Sequence, residues 1–173
     1  MIENILEEKI LNFTSAIKKT LNDKNWYAAL TLSLTLPDIC GSLEFPEKSS
    51  SKRFIDWFNV YLLDKYSLSN TLGTYVFLNG EDAYALRCAY LHQGEANIEN
   101  QWIRKALSEF LFVEPLESGS IHCNQVDNIL QLQVDIFCEE ICIAVEKWIE
   151  TVSSDQEIQE RAKKLLTIHK VGP

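Results

Sequence analysis

GEDAYALRCAYLHQG, residues 80 to 94, holds an arginine and a histidine inside one short helical pattern. Asn79 precedes it as an N-cap, Glu81 and Asp82 place acid in the first turn, and Gly94 supplies a C-terminal stop. Ala83, Ala85 and Ala89 favour helix and permit close approach of a neighbour. The spacing of Arg87 and His92 corresponds to a rotation of roughly 140° and a rise of about 7.5 Å on an α-helix. The two side chains are therefore expected on different faces. They converge on one substrate only if the helix end unwinds or both border a groove built with other elements. His92 falls in the last turn, where unpaired carbonyls and the helix dipole favour a cationic imidazole. Chemistry alone leaves a plain alternative open: a solvated or salt-bridged Arg87 and a His92 that caps the helix.

Arg-x4-His embedded as LRCAYLHQG resembles the signature of the HEPN superfamily, the higher eukaryotes and prokaryotes nucleotide-binding domains. That signature is an arginine and a histidine separated by four to six residues, often followed by glycine. The resemblance covers residues 80–94 and, more weakly, the flanking helical pattern. It implies an all-helical, usually dimeric protein. Many such proteins are metal-independent ribonucleases of toxin–antitoxin and antiviral systems, and others have lost activity and serve as binding modules. One position departs from the family pattern. The residue after the arginine is commonly Asn, Asp or His, and here it is Cys88, a weak hydrogen-bonding group.

The chain has 173 residues, 46% of them hydrophobic, which is enough for one packed core and makes a single domain over residues 1–173 the expectation. The net charge of −9 argues against a general electrostatic grip on nucleic acid while leaving room for a local basic groove. Lys48, Lys52 and Arg53 form one small basic cluster, and Arg104 with Lys105 another; both read as solvated surface. The cysteines at 40, 88, 123, 138 and 142 show no Cys-x-x-Cys pairing and suggest free thiols in a reducing compartment. His92, His122 and His169 are too scattered to suggest a metal, and neither a metal nor any other cofactor is expected. With no basic region before an apolar run and no long apolar stretch, neither a signal peptide nor a membrane span is expected, and a cytoplasmic location follows.

Periodicity gives most of the fold. Ile5, Leu6, Ile10, Phe13, Ile17 and Leu21, with Ile2 before them, predict an amphipathic helix over residues 2–22. LTLSLTL, residues 30–36, alternates like a half-buried strand, yet Ala28 and Ala29 open the segment and its apolar character continues through Ile39 and Cys40. The family resemblance favours a buried helix here, kinked at Pro37, with Thr and Ser bonding back to the preceding turn. Phe54, Trp57, Phe58, Tyr61 and Leu62 form the strongest helical stripe. Residues 67–78 read as a connecting loop with a hydrophobic tuck, and residues 101–108 as a short helical turn. Phe110–Val113 and Leu130–Val134 suit an antiparallel pair joined by a loop holding Gly119. Helices follow over 136–152 and, more weakly, over 155–169. The expected class is mainly α: a HEPN-like helical bundle with a small β-hairpin around residues 109–134.

Three functional readings follow. In the first, the protein is a ribonuclease. RNA carries its own nucleophile, the 2′-hydroxyl, so a proton shuttle and a cation on the phosphate suffice. The resemblance assigns His92 the first role and Arg87 the second, leaving a 2′,3′-cyclic phosphate. Tyr90, Gln93 and Glu95 are near enough in sequence to position substrate. The implied partners are RNA, a second copy through the motif helix, and a cognate antitoxin. In the second reading the chain is an inactive module binding RNA, nucleotide or a protein. In the third, Arg87 and His92 only hold helices together in a structural protein. The sequence has no Gly-rich phosphate loop, HExxH motif or Gly-x-Ser-x-Gly elbow.

Overall fold

The computed structural model describes residues 4–169 and 171, so Ile2 of the predicted first stripe lies outside the described residues. The chain is mainly helical, with elements in the order α1 (Ile5–Asn22), α2 (Trp26–Glu44), α3 (Ser50–Tyr61), β1 (Ser67–Asn70), β2 (Gly73–Val76), α4 (Gly80–Gln93), β3 (Glu109–Val113), β4 (Asn124–Val126), β5 (Ile129–Gln133), α5 (Val134–Val152) and α6 (Gln156–Ala162). Among the described residues no helix is long and apolar enough to cross a membrane.

The alternating leucines of residues 30–36 lie in α2, which packs against α1, α3, α4, α5 and α6. A helix buried on so many sides has no single apolar face, so its sequence loses the 3.6-residue signature. Leu30, Leu34 and Leu36 are buried, and Leu32 is partly so. Thr31, Thr35 and Ser42 bond back to the carbonyls of Tyr27, Leu32 and Ile39, each at 2.7 Å, as the helical reading requires. Pro37 sits inside the helix and denies the Ser33 carbonyl its usual donor. At the far end the Trp148 indole of α5 donates to Glu44 at 2.9 Å.

α3 is wedged between α2 and α4, and glycine makes both contacts possible. A Cβ on Gly41 of α2 would stand 2.7 Å from the Arg53 carbonyl oxygen, and one on Gly80 of α4 would stand 2.6 Å from that of Ile55. The apolar stripe of α3 then closes the core, with Phe54, Trp57, Phe58 and Leu62 buried. Asn79 caps α4 by accepting from the Asp82 amide at 2.9 Å, and Gly94 ends the helix in the left-handed conformation at φ 72°.

The β structure corrects the sequence reading. Residues 67–78 do not form a plain loop; β1 and β2 pair as an antiparallel hairpin, and the expected tuck survives in the buried Leu78. β3 runs parallel to β5, not antiparallel, and β4 takes the antiparallel place on the other side, giving the order β3-β5-β4. A parallel pair needs a crossover of roughly a dozen residues or more, and residues 114–128 supply it. The hairpin is β4–β5, with Asp127 at φ 53° in its tight turn. Val134, expected in a strand, begins α5. Residues 101–108 form turns without a helix, since their amides have another partner. Asp82, 1% exposed, accepts from the Lys105, Ala106 and Leu107 amides at 2.6, 3.2 and 3.4 Å. α6 stops at Ala162 because Leu166 and Ile168 beyond it find no core to enter.

The loop before β4 is pinned to α5. His122 Nε2 lies 3.2 Å from Glu140, and Lys65 approaches the other carboxylate oxygen at 3.4 Å. Burial pushes the Glu140 carboxyl up, but His122 and Lys65 outweigh it and hold the group below the usual range. The buried Tyr66 hydroxyl beside it also lowers the Glu140 carboxyl. All five cysteines are free; Cys40, Cys138 and Cys142 are buried, and Cys88 and Cys123 are half-buried.

Overpacking a close-packed contact costs about 1–3 kcal/mol. Gly80→Ala is therefore expected to lower Tm by about 2–10 °C, read by circular dichroism, because the methyl meets backbone that cannot swing aside. An unchanged Tm would mean that α3 and α4 are not in such contact.

Candidate functional site

Asp38 is the centre of the polar network around the motif. Its carboxylate accepts from Ser50 Oγ at 3.1 Å and from Arg53 Nε at 2.9 Å, both on α3. Arg87 of α4 approaches from the other side, with Nη2 3.5 Å from Asp38 Oδ2. Asp38 lies one turn before Gly41, on the stretch of α2 that meets α3. Arg87 lies two turns after Gly80 on α4. The two glycine contacts thus set the distance across which the ion pairs form. Two guanidinium groups share one carboxylate, leaving local positive charge in a chain of net −9.

Arg87 and His92 do come together. Arg87 Nη1 is 3.4 Å from His92 Nε2, although α4 remains helical through Gln93. The expectation of divergent side chains fails because it located the residues by their Cα positions, whereas the long arginine stem spans the intervening turn. A hydrogen bond between the two uses the neutral imidazole with Nε2 as acceptor. The Arg87 side chain is 19% exposed and passes the Tyr84 ring with its guanidinium carbon 5.8 Å from the centroid. Its Nε is buried without a hydrogen-bond partner. Tyr84 in turn meets the Phe54 ring edge-on at 5.3 Å, which ties the arginine's platform to the core. Cys88 lies beside the Tyr84 hydroxyl, which burial, reinforced by Cys88, raises above its ordinary range.

His92 itself is exposed and does not cap the helix: the Gly94 amide bonds to the Ala89 and Tyr90 carbonyls. Tyr90 is a strut between α4 and α2. Its hydroxyl donates to the Tyr27 carbonyl at 3.3 Å and meets Thr31 Oγ1 at 3.4 Å. Gln93 and Glu95 are exposed at the end of α4. The structure therefore joins Arg87 to His92, places Tyr90 along the same seam, and leaves Gln93 and Glu95 at its margin.

Sequence reading missed Asp38, Ser50, Arg53 and Tyr84. The available signal was Asp38 itself, a carboxylate in the otherwise apolar TLPDICG of α2, which has to find a partner when packed. Arg53 read as surface because it was grouped with Lys48 and Lys52, which instead flank Asp56 at 2.9 and 3.9 Å. The second basic cluster divides similarly: Arg104 donates to the Glu99 and Leu107 carbonyls, while Lys105 is exposed. Among the described residues no group of three or more His, Cys, Asp and Glu side chains is placed to hold a metal ion.

Asp38→Asn leaves Arg53 and Arg87 facing each other without the anion between them. A loss of about 1–3 kcal/mol is expected, less than for a fully buried pair because these groups are part exposed. Thermal melts at low and high salt test this: the deficit should shrink as salt screens the two cations.

No protein-family model matches this chain, and no curated protein or solved structure matches it either.

Proposed function

We propose that this protein is a metal-independent endoribonuclease of HEPN type, acting on RNA phosphodiesters. The reading rests on one observation above the rest: the Arg87 guanidinium lies 3.4 Å from the His92 imidazole while Asp38 holds its other nitrogen. A guanidinium gripped at one end by a carboxylate presents its remaining N–H groups in a fixed direction. A phosphate placed beside Arg87 would also be within reach of His92.

The chemistry then needs few groups. His92 takes the proton from the 2′-hydroxyl or gives one to the leaving 5′-oxygen. The 2′-oxygen attacks phosphorus, the bond to the 5′-oxygen breaks, and a 2′,3′-cyclic phosphate remains. Arg87 stabilises charge growing on the non-bridging oxygens. One imidazole supplies one of the two proton transfers, and a two-fold dimer with both α4 helices at the interface supplies the other. A toxin, restrained by a cognate antitoxin, or an antiviral nuclease in the cytoplasm is the setting that this chemistry suits.

A second reading has its own observation. Arg87 is already paired with Asp38, and Cys88 is a weak hydrogen-bonding group where the family pattern carries a stronger one. On that reading the same groove binds RNA, nucleotide or a protein partner without turnover.

Purified protein is expected to cleave single-stranded RNA in EDTA and to spare DNA, which lacks the 2′-hydroxyl. His92→Ala should reduce the rate by about 100- to 10,000-fold, and Arg87→Ala by a comparable factor. His92 is exposed and Asp38 keeps Arg53 and Ser50, so both variants should remain folded. Cys88→Asn separates the two readings: activity gained from a silent wild type marks a binding module that has lost turnover. Light scattering at micromolar concentration should report a dimer, and a clean monomer would count against the composite site.

A further inference from the structure

β3 is an edge strand, paired with β5 on one side only. On its other side the chain leaving α4 covers its first half: the Ile98 amide donates to the Ser108 carbonyl at 2.8 Å, and the Phe110 amide donates to the Ala96 carbonyl at 3.0 Å. Backbone groups of successive residues point to alternate sides of a strand, so the amide and carbonyl of Phe112 face the same way as those of Phe110. There they find no hydrogen-bond partner among the described residues, because the covering chain begins only at Gly94, where α4 ends. Beside this open stretch lies a cleft of about 160 Å3 between β3 and the start of α2. Trp26, Leu30, Phe112 and Val134 line it, and the exposed Tyr27 and Glu114 border it.

We infer that the open edge of β3 and its cleft receive an extended, basic segment of a partner protein, which adds as a further strand and seats one apolar side chain in the cleft. Three observations select this occupant. The unpaired donor and acceptor of Phe112 match the backbone of another strand, and main-chain bonds of that kind are what hold an added strand to a sheet edge. The cleft is smaller than the roughly 300–1,000 Å3 of a pocket that encloses a small-molecule ligand, and alternate residues of an added strand face it, so it takes a single side chain. Charge decides the rest. Glu95, next to Ala96, stands at one end of the open stretch and Glu114 at the other, both exposed, in a chain of net −9. Lysine or arginine flanking the apolar residue is attracted here, whereas a second copy of this acidic chain is repelled. The inference is independent of the reading of Arg87 and His92.

A library of random heptapeptides displayed on phage and selected against the full chain is the probe. Enriched peptides are expected to carry one large apolar residue with lysine or arginine on either side of it. Glu114→Lys changes an exposed side chain and should fold normally, yet it should weaken binding of a synthetic copy of the most enriched peptide by roughly 2- to 10-fold. N-methylation separates strand addition from a loose apolar contact. Two isomers of that peptide, methylated on alternate backbone nitrogens, have opposite edges blocked. The isomer blocked toward β3 should lose binding and the other should keep it. Amide shifts in nitrogen-15 spectra of the protein should centre on Phe112 and Glu114. An absence of enrichment, an acidic consensus, equal binding by the two isomers, or shifts centred elsewhere would overturn the inference. A dimer of the chain alone, whose dilution shifts centre on Phe112 and Glu114, would overturn it too, by seating a second copy on this edge.

Discussion

The approach of α2 and α4 to opposite sides of α3 is the constraint on which the site depends. At Gly41 and at Gly80 a side chain would collide with an α3 carbonyl, so the three helices stand as close as backbone permits. Only at that spacing do the carboxylate of α2, the guanidinium of α3 and the guanidinium of α4 meet. The apolar work of α3 is done by Phe54, Trp57, Phe58 and Leu62, which fix its rotation and so the direction of Arg53. Packing sets position here, and the polar network uses it.

The network stays at the edge of the core. Asp38 and Arg87 are each partly exposed, so the desolvation cost is smaller than for a fully buried pair and the guanidinium keeps a face toward solvent. Ser50 and Arg53 satisfy most of the Asp38 carboxylate, which holds Arg87 by Nη2 alone and leaves Nη1 turned toward His92 and Nε buried. The arrangement serves a side chain that must be oriented without being neutralised. Two guanidinium groups on one carboxylate leave local positive charge at this seam of an acidic chain, which the proposed RNA substrate would require.

Much of this was legible in the sequence. The caps Asn79 and Gly94, the stripes of α1, α3 and α5, and the helical nature of the alternating leucines all follow from spacing, composition and family resemblance. What failed did so for physical reasons. The β3–β5 pair was misjudged because periodicity reveals a strand but not the direction of its partner, which the crossover through residues 114–128 decides. The turn over 101–108 was misjudged because its amides are satisfied by Asp82 of α4, a partner remote in sequence. At the site, Arg87 and His92 were visible as a motif, but their contact depended on side-chain reach. Asp38 and Arg53 came from other helices and could be joined only by the fold.

In the proposed chemistry His92 and Arg87 direct the RNA's own 2′-hydroxyl onto phosphorus. The ends left on a cleaved RNA record that directly. Mass spectrometry of the products, taken at early times in EDTA, should find a 2′,3′-cyclic phosphate on one fragment and a 5′-hydroxyl on the other. Fragments bearing a 3′-hydroxyl and a 5′-phosphate would show that water made the attack, and would contradict the account.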